Sequence, residues 1–128
     1  MKLLRVHHVA LICSDYARSR RFYTELLGLK ILGENFQPHR GWTKLDLALP
    51  DGGQLELFHI PGAPGRPSYP EAQGLRHLAF AVVDVMAARE ALIEHGVDVE
   101  DIRVDPYTGR RFTFFRDPDD LSLQLVES

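Results

Sequence analysis

His8-Val-Ala-Leu-Ile-Cys-Ser-Asp15 recurs in the second half of the chain as His77-Leu-Ala-Phe-Ala-Val-Val-Asp84. Both copies have seven steps from the histidine to the aspartate. The histidine of the first copy lies 48 residues before Glu56, and the histidine of the second copy lies 47 residues before Gln124. A match that keeps its register over such a length predicts that one structural unit occurs twice.

Each copy reads as a strand, a helix and three further strands. Asp15 and Asp84 are natural N-caps, because a carboxylate can accept hydrogen bonds from the first turn of a helix. Gly28 and Gly96 suit the left-handed position that ends a helix. The predicted fold class is α+β, with two tandem βαβββ modules that form a curved mixed sheet around a metal-binding cavity.

The predicted strands alternate with turn-forming residues. The first strand of each copy is apolar enough to be covered on both faces. The eight predicted strands span Val6 to Cys13, Lys30 to Phe36, Trp42 to Leu49, Gln54 to Ile60, Leu75 to Val83, Val99 to Val104, Arg110 to Phe115 and Leu121 to Val126. We expect a single domain over 1–128, with module one over about 1–60, a Pro- and Gly-rich linker over 61–73 and module two over about 74–128.

Composition limits the class of protein. The chain has 128 residues, of which 45% are hydrophobic and 26% charged, and this favours one soluble globular domain. A net charge of −3 gives no reason to expect nucleic acid or an anionic membrane as partner. One cysteine excludes an intrachain disulfide, and the first residues show no signal peptide, so we expect a cytoplasmic protein.

Four polar residues occupy equivalent places in the two copies. His8 and His77 open the first strand of each copy, whereas Glu56 and Gln124 each lie between two leucines in the last strand. Taken singly, each has an ordinary explanation as a hydrogen-bonded core residue or a solvated edge residue. As a symmetric set on the inward face, they predict one divalent metal ion, with an N/O donor set that suits Ni, Co, Zn, Mn or Fe.

The remaining candidate ligands have simpler explanations. His7 and Cys13 have the opposite strand parity to His8, and Glu127 has the opposite parity to Gln124. His39 falls in a predicted loop, His59 has the wrong parity, and His95 lies in the last turn of a helix.

The motifs His8-Val-Ala-Leu, Leu55-Glu-Leu57, Arg76-His-Leu-Ala79 and Asp117-Pro-Asp119 resemble the vicinal oxygen chelate superfamily. That group includes glyoxalase I, bleomycin-resistance proteins, extradiol dioxygenases and epimerases, and the chain looks most similar to its small glyoxalase-I-like bacterial members. The resemblance implies a metal-dependent lyase or isomerase that acts on a small α-oxo or hemithioacetal substrate through an enediolate. It also implies that His8, Glu56, His77 and Gln124 are the metal ligands and that the protein is a homodimer.

Departures from the family pattern bear on the reaction. Bacterial glyoxalase I has glutamate at the position of Gln124, and a neutral amide cannot accept the substrate's proton. Glu56 therefore becomes the expected catalytic base. Ile12, Ile60 and Gln73 stand where glutathione-using members tend to have polar residues, so the Arg110–Arg111 pair is the expected contact for an anionic substrate, with Arg40 and Arg103 as further candidates.

Three other functions stay open on the sequence. One is a metal-free module that binds and sequesters a small molecule such as a drug. The second is an epimerase, whose relatives use glutamine as one ligand. The third is an Fe(II) dioxygenase, which the missing carboxylate at position 124 disfavours.

Overall fold

The computed structural model describes residues 1–128, and these form two compact units, Met1–Gly65 and Arg66–Ser128. Each unit contains one four-stranded sheet and one helical segment in the order βαβββ, as the repeat predicts. The boundary between the units falls within the predicted linker over 61–73. No helix has the length and the apolar character that crossing a membrane requires.

The first unit has a mixed sheet. Its elements are β1 (His8–Cys13), α1 (Tyr16–Arg21) with a π-helical continuation (Phe22–Leu26), β2 (Lys30–Gln37), β3 (Trp42–Ala48) and β4 (Gln54–His59). The strand order is β1-β4-β3-β2, in which β1 runs parallel to β4 and the other pairs are antiparallel.

Alternation along the strands gives this sheet one buried face and one open face. The face that packs against the helical segment is almost completely buried at Leu45 and Leu47 of β3 and at Leu55 and Leu57 of β4. Tyr23 of the helical segment is buried as well. On the other face Ile12 is 54% exposed, so the prediction that β1 is covered on both faces is wrong. The polar residues that alternate with these leucines along the strands lie on the open face.

The predicted helix starts and ends are confirmed in both copies. The Asp15 carboxylate accepts a hydrogen bond of 3.1 Å from the backbone N–H of Arg18, and Asp84 accepts one of 3.1 Å from Ala87. Gly28 and Gly96 have φ values of +72° and +79°, the left-handed conformation in which a side chain would be strained.

The second unit repeats the same topology. Its elements are β5 (Leu78–Val82), α2 (Val85–Glu94), β6 (Arg103–Val104), β7 (Arg111–Arg116) and β8 (Ser122–Glu127). The strand order is β5-β8-β7-β6, with β5 parallel to β8. Leu123 and Phe115 are buried on the face that packs against α2.

Three strands begin two or more residues later than predicted. The first strand of each unit begins two or three residues later than predicted, at His8 and Leu78. The strand predicted over Val99 to Val104 is reduced to Arg103–Val104, with an isolated bridge between Val99 and Phe115. Here the Glu100 carbonyl accepts hydrogen bonds from the side chains of Arg89 (2.8 Å) and Thr113 (2.9 Å), and these side-chain bonds interrupt the backbone ladder.

Candidate metal centre

His8 and Glu56 meet on the open face of the first sheet. The parallel register sets Ala10 opposite Glu56, and His8 lies two residues before Ala10 on the same face. His8 Nε2 lies 3.3 Å from Glu56 Oε2, and the Glu56 side chain is only 12% exposed. An imidazole and a largely buried carboxylate therefore lie side by side on adjacent strands.

Lys44 and Asp46 surround the same carboxylate, and neither was predicted from the sequence. Lys44 Nζ lies 3.3 Å from Glu56 Oε1 and 3.3 Å from Asp46 Oδ1, and the register of β3 sets Asp46 directly opposite Glu56. Burial alone would lower the pKa of Lys44, but the two carboxylates outweigh it and the pKa is raised. The alternation Lys44-Leu-Asp-Leu47, with leucines on the buried face, was the signal that could have identified this pair.

His7 contacts His8 although it has the opposite parity. The Nδ1 atoms of the two rings lie 2.9 Å apart, so one ring donates a hydrogen bond and the other accepts it. His8 keeps its Nε2 toward Glu56 while its Nδ1 is held by His7. Such a partner on the far nitrogen orients a histidine ring that binds a metal through the near one.

His77 and Gln124 lie on the open face of the second sheet. The register sets Ala79 opposite Gln124, just as Ala10 lies opposite Glu56, and it sets Phe114 beside Gln124 on the other side. The His77 ring packs edge-on against Phe114 with 5.1 Å between ring centroids. Phe114 therefore neighbours both predicted ligands of this unit: its ring contacts His77, and it is the strand partner of Gln124.

Arg76 holds the outer nitrogen of His77. Arg76 Nη1 lies 3.2 Å from His77 Nδ1, and because a guanidinium only donates, Nδ1 is the acceptor of this bond. The neutral ring then carries its proton on Nε2. Ligation of a metal through Nε2 and this hydrogen bond exclude each other, so Arg76 must release His77 when a metal binds there.

The donor set fits a divalent metal ion. Two imidazoles, one carboxylate and one amide oxygen form the N/O set that Zn, Ni, Co, Mn and Fe accept. His8 Nε2 and Glu56 Oε2 lie 3.3 Å apart, close enough for one ion to contact both. Each unit gathers two of the four predicted ligands, and neither unit by itself gathers three histidine, cysteine, aspartate or glutamate side chains into a metal site.

The structure does not bring Arg111 to the face that carries Gln124. Its guanidinium donates to both oxygens of Glu127 at 2.9–3.0 Å, on the face that packs against α2. Glu127 also accepts a 3.0 Å hydrogen bond from the backbone N–H of Val85, the first residue of α2. That N–H, together with Arg111, lowers the pKa of Glu127. Arg110 is exposed in the turn before β7.

Two other candidate arginines lie on the open faces. Arg103 covers the rings of Phe112 and Phe114 at 4.9 and 5.7 Å from their centroids. Arg40 covers the Trp42 ring at 4.9 Å. Both cations stack on aromatic side chains of the open faces.

The remaining histidines and the cysteine lie where their patterns predict. His59 packs near Tyr16, at 6.5 Å between ring centroids, and His95 ends α2 with its Nδ1 2.8 Å from the Ala91 carbonyl. His39 is exposed in a turn and Cys13 is buried.

Comparison with known proteins places the fold in a known group. The model of the Glyoxalase/Bleomycin resistance protein/Dioxygenase superfamily matches residues 5–125. The uncharacterized proteins YwkD of Bacillus subtilis and YaeR of Escherichia coli are 50% and 53% identical to this chain, over 99% and 98% of its length and 99% and 97% of theirs. The structure of a glyoxalase family protein from Enterococcus faecalis superposes with a TM-score of 0.89 at 47% identity, over 96% of this chain and 97% of that chain.

More distant relatives carry named activities. A lactoylglutathione lyase of Haemophilus influenzae is 26% identical over 98% of this chain and 93% of its own length. A 2-epi-5-epi-valiolone epimerase of an Actinomyces species is 33% identical over 94% of this chain and 78% of its own length.

Proposed function

The chain belongs to the glyoxalase/bleomycin resistance protein/dioxygenase superfamily, and from this membership we propose that it is a metal-dependent lyase or isomerase of the glyoxalase I type. Its substrate would be a small α-oxo compound or a hemithioacetal, from which the enzyme removes a proton on the carbon next to a carbonyl. The observation that carries the proposal is the His8–Glu56 pair on an open sheet face, repeated as His77 and Gln124 in the second unit.

The proposed ligands are His8, Glu56, His77 and Gln124, and one divalent ion (Ni, Co, Zn, Mn or Fe) is the expected cofactor. When bound, such an ion supplies Lewis-acid stabilisation of negative charge on substrate oxygens. His7 would orient the His8 ring through the contact between their Nδ1 atoms.

Glu56 is the proposed base, because it is the one carboxylate among the four ligands, and an imidazole bound to a metal has no free lone pair for a proton. Lys44 holds Glu56 Oε1 and His8 faces Oε2, so the two oxygens have different partners. Gln124, an amide, would orient the substrate or bind the metal without taking up the proton.

Epimerisation is the second candidate, and a specific observation favours it. The epimerase relative is 33% identical to the chain, whereas the lactoylglutathione lyase is 26% identical. Both reactions begin with loss of a proton next to a carbonyl and differ in where a proton is returned. The lyase therefore gives a constitutional isomer of its substrate, whereas the epimerase gives a stereoisomer.

The test follows the proton directly. Metal-loaded protein is incubated in D₂O with α-oxoaldehyde–thiol adducts and with 2-substituted 3-oxo acids, and exchange at the carbon is followed by NMR. Exchange with rearrangement to a thioester supports the lyase, and exchange with racemisation supports the epimerase. If the metal-loaded protein exchanges none of these protons, the enzyme proposal fails and a metal-free binding module replaces it.

We propose further that the protein acts in the cytoplasm as a homodimer. Membership of the superfamily and a similar size to the bacterial relatives support the dimer. Light scattering of the purified protein that gives twice the 14.5 kDa chain mass would agree with this proposal, and a single chain mass would oppose it.

A further inference from the structure

A cavity of about 440 Å³ lies within the second unit. The segment before β5 forms one wall, and Arg116 at the end of β7 and Ser122 at the start of β8 form the other. Ser68 donates a 3.3 Å hydrogen bond to the Asp120 carbonyl, and the Arg116 guanidinium lies 4.9 Å from the centre of the Tyr69 ring. These two contacts hold the walls together around the cavity.

Three guanidinium groups line this cavity, and one of them has no acidic partner. Arg76 pairs with Glu71 at 2.6 Å, and Arg116 pairs with Asp120 at 3.4 Å. Arg66 donates hydrogen bonds to the backbone carbonyls of Leu75 (3.0 Å) and Arg76 (3.5 Å). It takes part in none of the ion pairs of this unit. The cavity therefore carries an excess positive charge.

The cavity adjoins the second unit's half of the candidate metal centre. Arg76 reaches from it to His77 Nδ1 at 3.2 Å. Ser122, which also lines it, lies two residues before Gln124 on the same face of β8. One molecule can therefore place one end in the cavity and another end beside His77 and Gln124.

We propose that this cavity binds the anionic end of the substrate, a carboxylate or a phosphate, through Arg66, Arg76 and Arg116. Guanidinium groups match the two oxygens of such an anion, and the Arg76–Glu71 pair is exposed enough (63% and 64%) to exchange one carboxylate for another. The inference rests on the proposed function, because it makes the cavity a subsite of that active site. The three arginines of this cavity are separate from Arg110 and Arg111, the pair that the sequence predicts to contact an anionic substrate.

The test uses metal-free protein, so that failure of the metal proposal leaves it readable. Inorganic phosphate and acetate are titrated into ¹⁵N-labelled protein at constant ionic strength, and amide shifts of 66–77 and 116–122 are followed. The same titrations are made with Arg66→Gln, with the double variant Arg66→Gln/Arg116→Gln, and with Arg18→Gln as a matched control on the exposed face of α1. Circular dichroism verifies that each variant is folded.

We expect saturable shifts for the parent and for the control with at least one of the two anions. Affinity should be about three- to tenfold weaker in Arg66→Gln and lower again in the double variant. Saturation by phosphate alone or by acetate alone identifies which anion the subsite takes. Shifts that do not saturate, or that weaken equally in Arg18→Gln, would overturn the proposal by showing diffuse charge attraction only.

Discussion

Glu56 is a largely buried carboxylate on the open face of the first sheet. Its side chain is 12% exposed, and its two oxygens face different partners, His8 and Lys44. The Glu56 carboxylate has a lone pair that can accept a proton, whereas the amide of Gln124 in the related position does not.

Replacing Glu56 with glutamine should abolish turnover while leaving metal bound. The amide keeps an oxygen donor but cannot accept a proton, so we expect kcat to fall on the order of 100- to 10,000-fold. The measurement is proton exchange by NMR, alongside the metal content of the same sample. Gln124→Asn is the matched control, since it changes an amide ligand without changing a base. Undiminished exchange in Glu56→Gln would remove Glu56 from the role of base.

Lys44 should stabilise the metal-free protein through the two carboxylates beside it. Asp46 Oδ1 is buried and accepts no hydrogen bond. Lys44 Nζ lies 3.3 Å from it, so the ammonium group compensates the negative charge of this oxygen. In Lys44→Met we expect the free energy of unfolding to fall by about 1–2 kcal/mol, because Asp46 and Glu56 then repel each other without a cation between them. Urea denaturation measures this free energy of unfolding, with Lys30→Met at an exposed position as control. Equal stability of the two variants would show that solvent alone compensates Asp46.

At the scale of elements, the first residue of α2 is hydrogen-bonded to a side chain of the sheet against which the helix packs. Glu127 of β8 accepts the hydrogen bond of the Val85 N–H and is clamped by Arg111 of β7. A carboxylate at this end also interacts favourably with the helix dipole. One ion pair therefore connects both strands to the start of the helix.

The lowered pKa of Glu127 sets the pH dependence of this anchor. A carboxyl group whose pKa is lower in the folded state stabilises the fold above its unfolded pKa, and it loses that contribution as pH falls through the folded pKa. Glu127→Gln should therefore lower Tm at pH 7, and the difference from the parent should shrink below about pH 4. Thermal denaturation across this range measures it, with Glu90→Gln on the exposed side of α2 as control. A Tm difference that stays constant with pH would contradict this role.

Sequence patterns predicted the elements whose causes are local. Asp15 and Asp84 cap their helices because the capping bond spans only three residues. The face that carries Glu56 follows from alternation along a single strand. The shortened β6 was missed because Thr113 and Arg89, distant in sequence, bind the Glu100 carbonyl.

The role of Arg111 was missed for a related reason. Phe112 and Phe114 alternate with Thr113 and Phe115 along β7, so both faces of that strand read as apolar. The sequence offered no sign that Arg111 shares the face of Glu127 rather than that of Gln124. Its partner lies 16 residues away, on a strand whose register only the folded sheet defines.

For the molecule as a whole, the repeat explains why the proposed metal ligands number four. Each unit supplies one histidine from the beginning of its first strand and one oxygen donor from its last strand. Two of the four proposed ligands thus come from each unit. The two copies have diverged at the second donor, which leaves a single carboxylate and hence a single base.

Elemental analysis of the protein purified without added metal is the decisive measurement. It compares the parent with His77→Ala and with His39→Ala, an exposed histidine that serves as control. We predict about one equivalent of a transition metal in the parent and in His39→Ala, and little in His77→Ala, because the site loses one of its two imidazole ligands. No metal in the parent, and none taken up on titration, would contradict a metal centre built from His8, Glu56, His77 and Gln124.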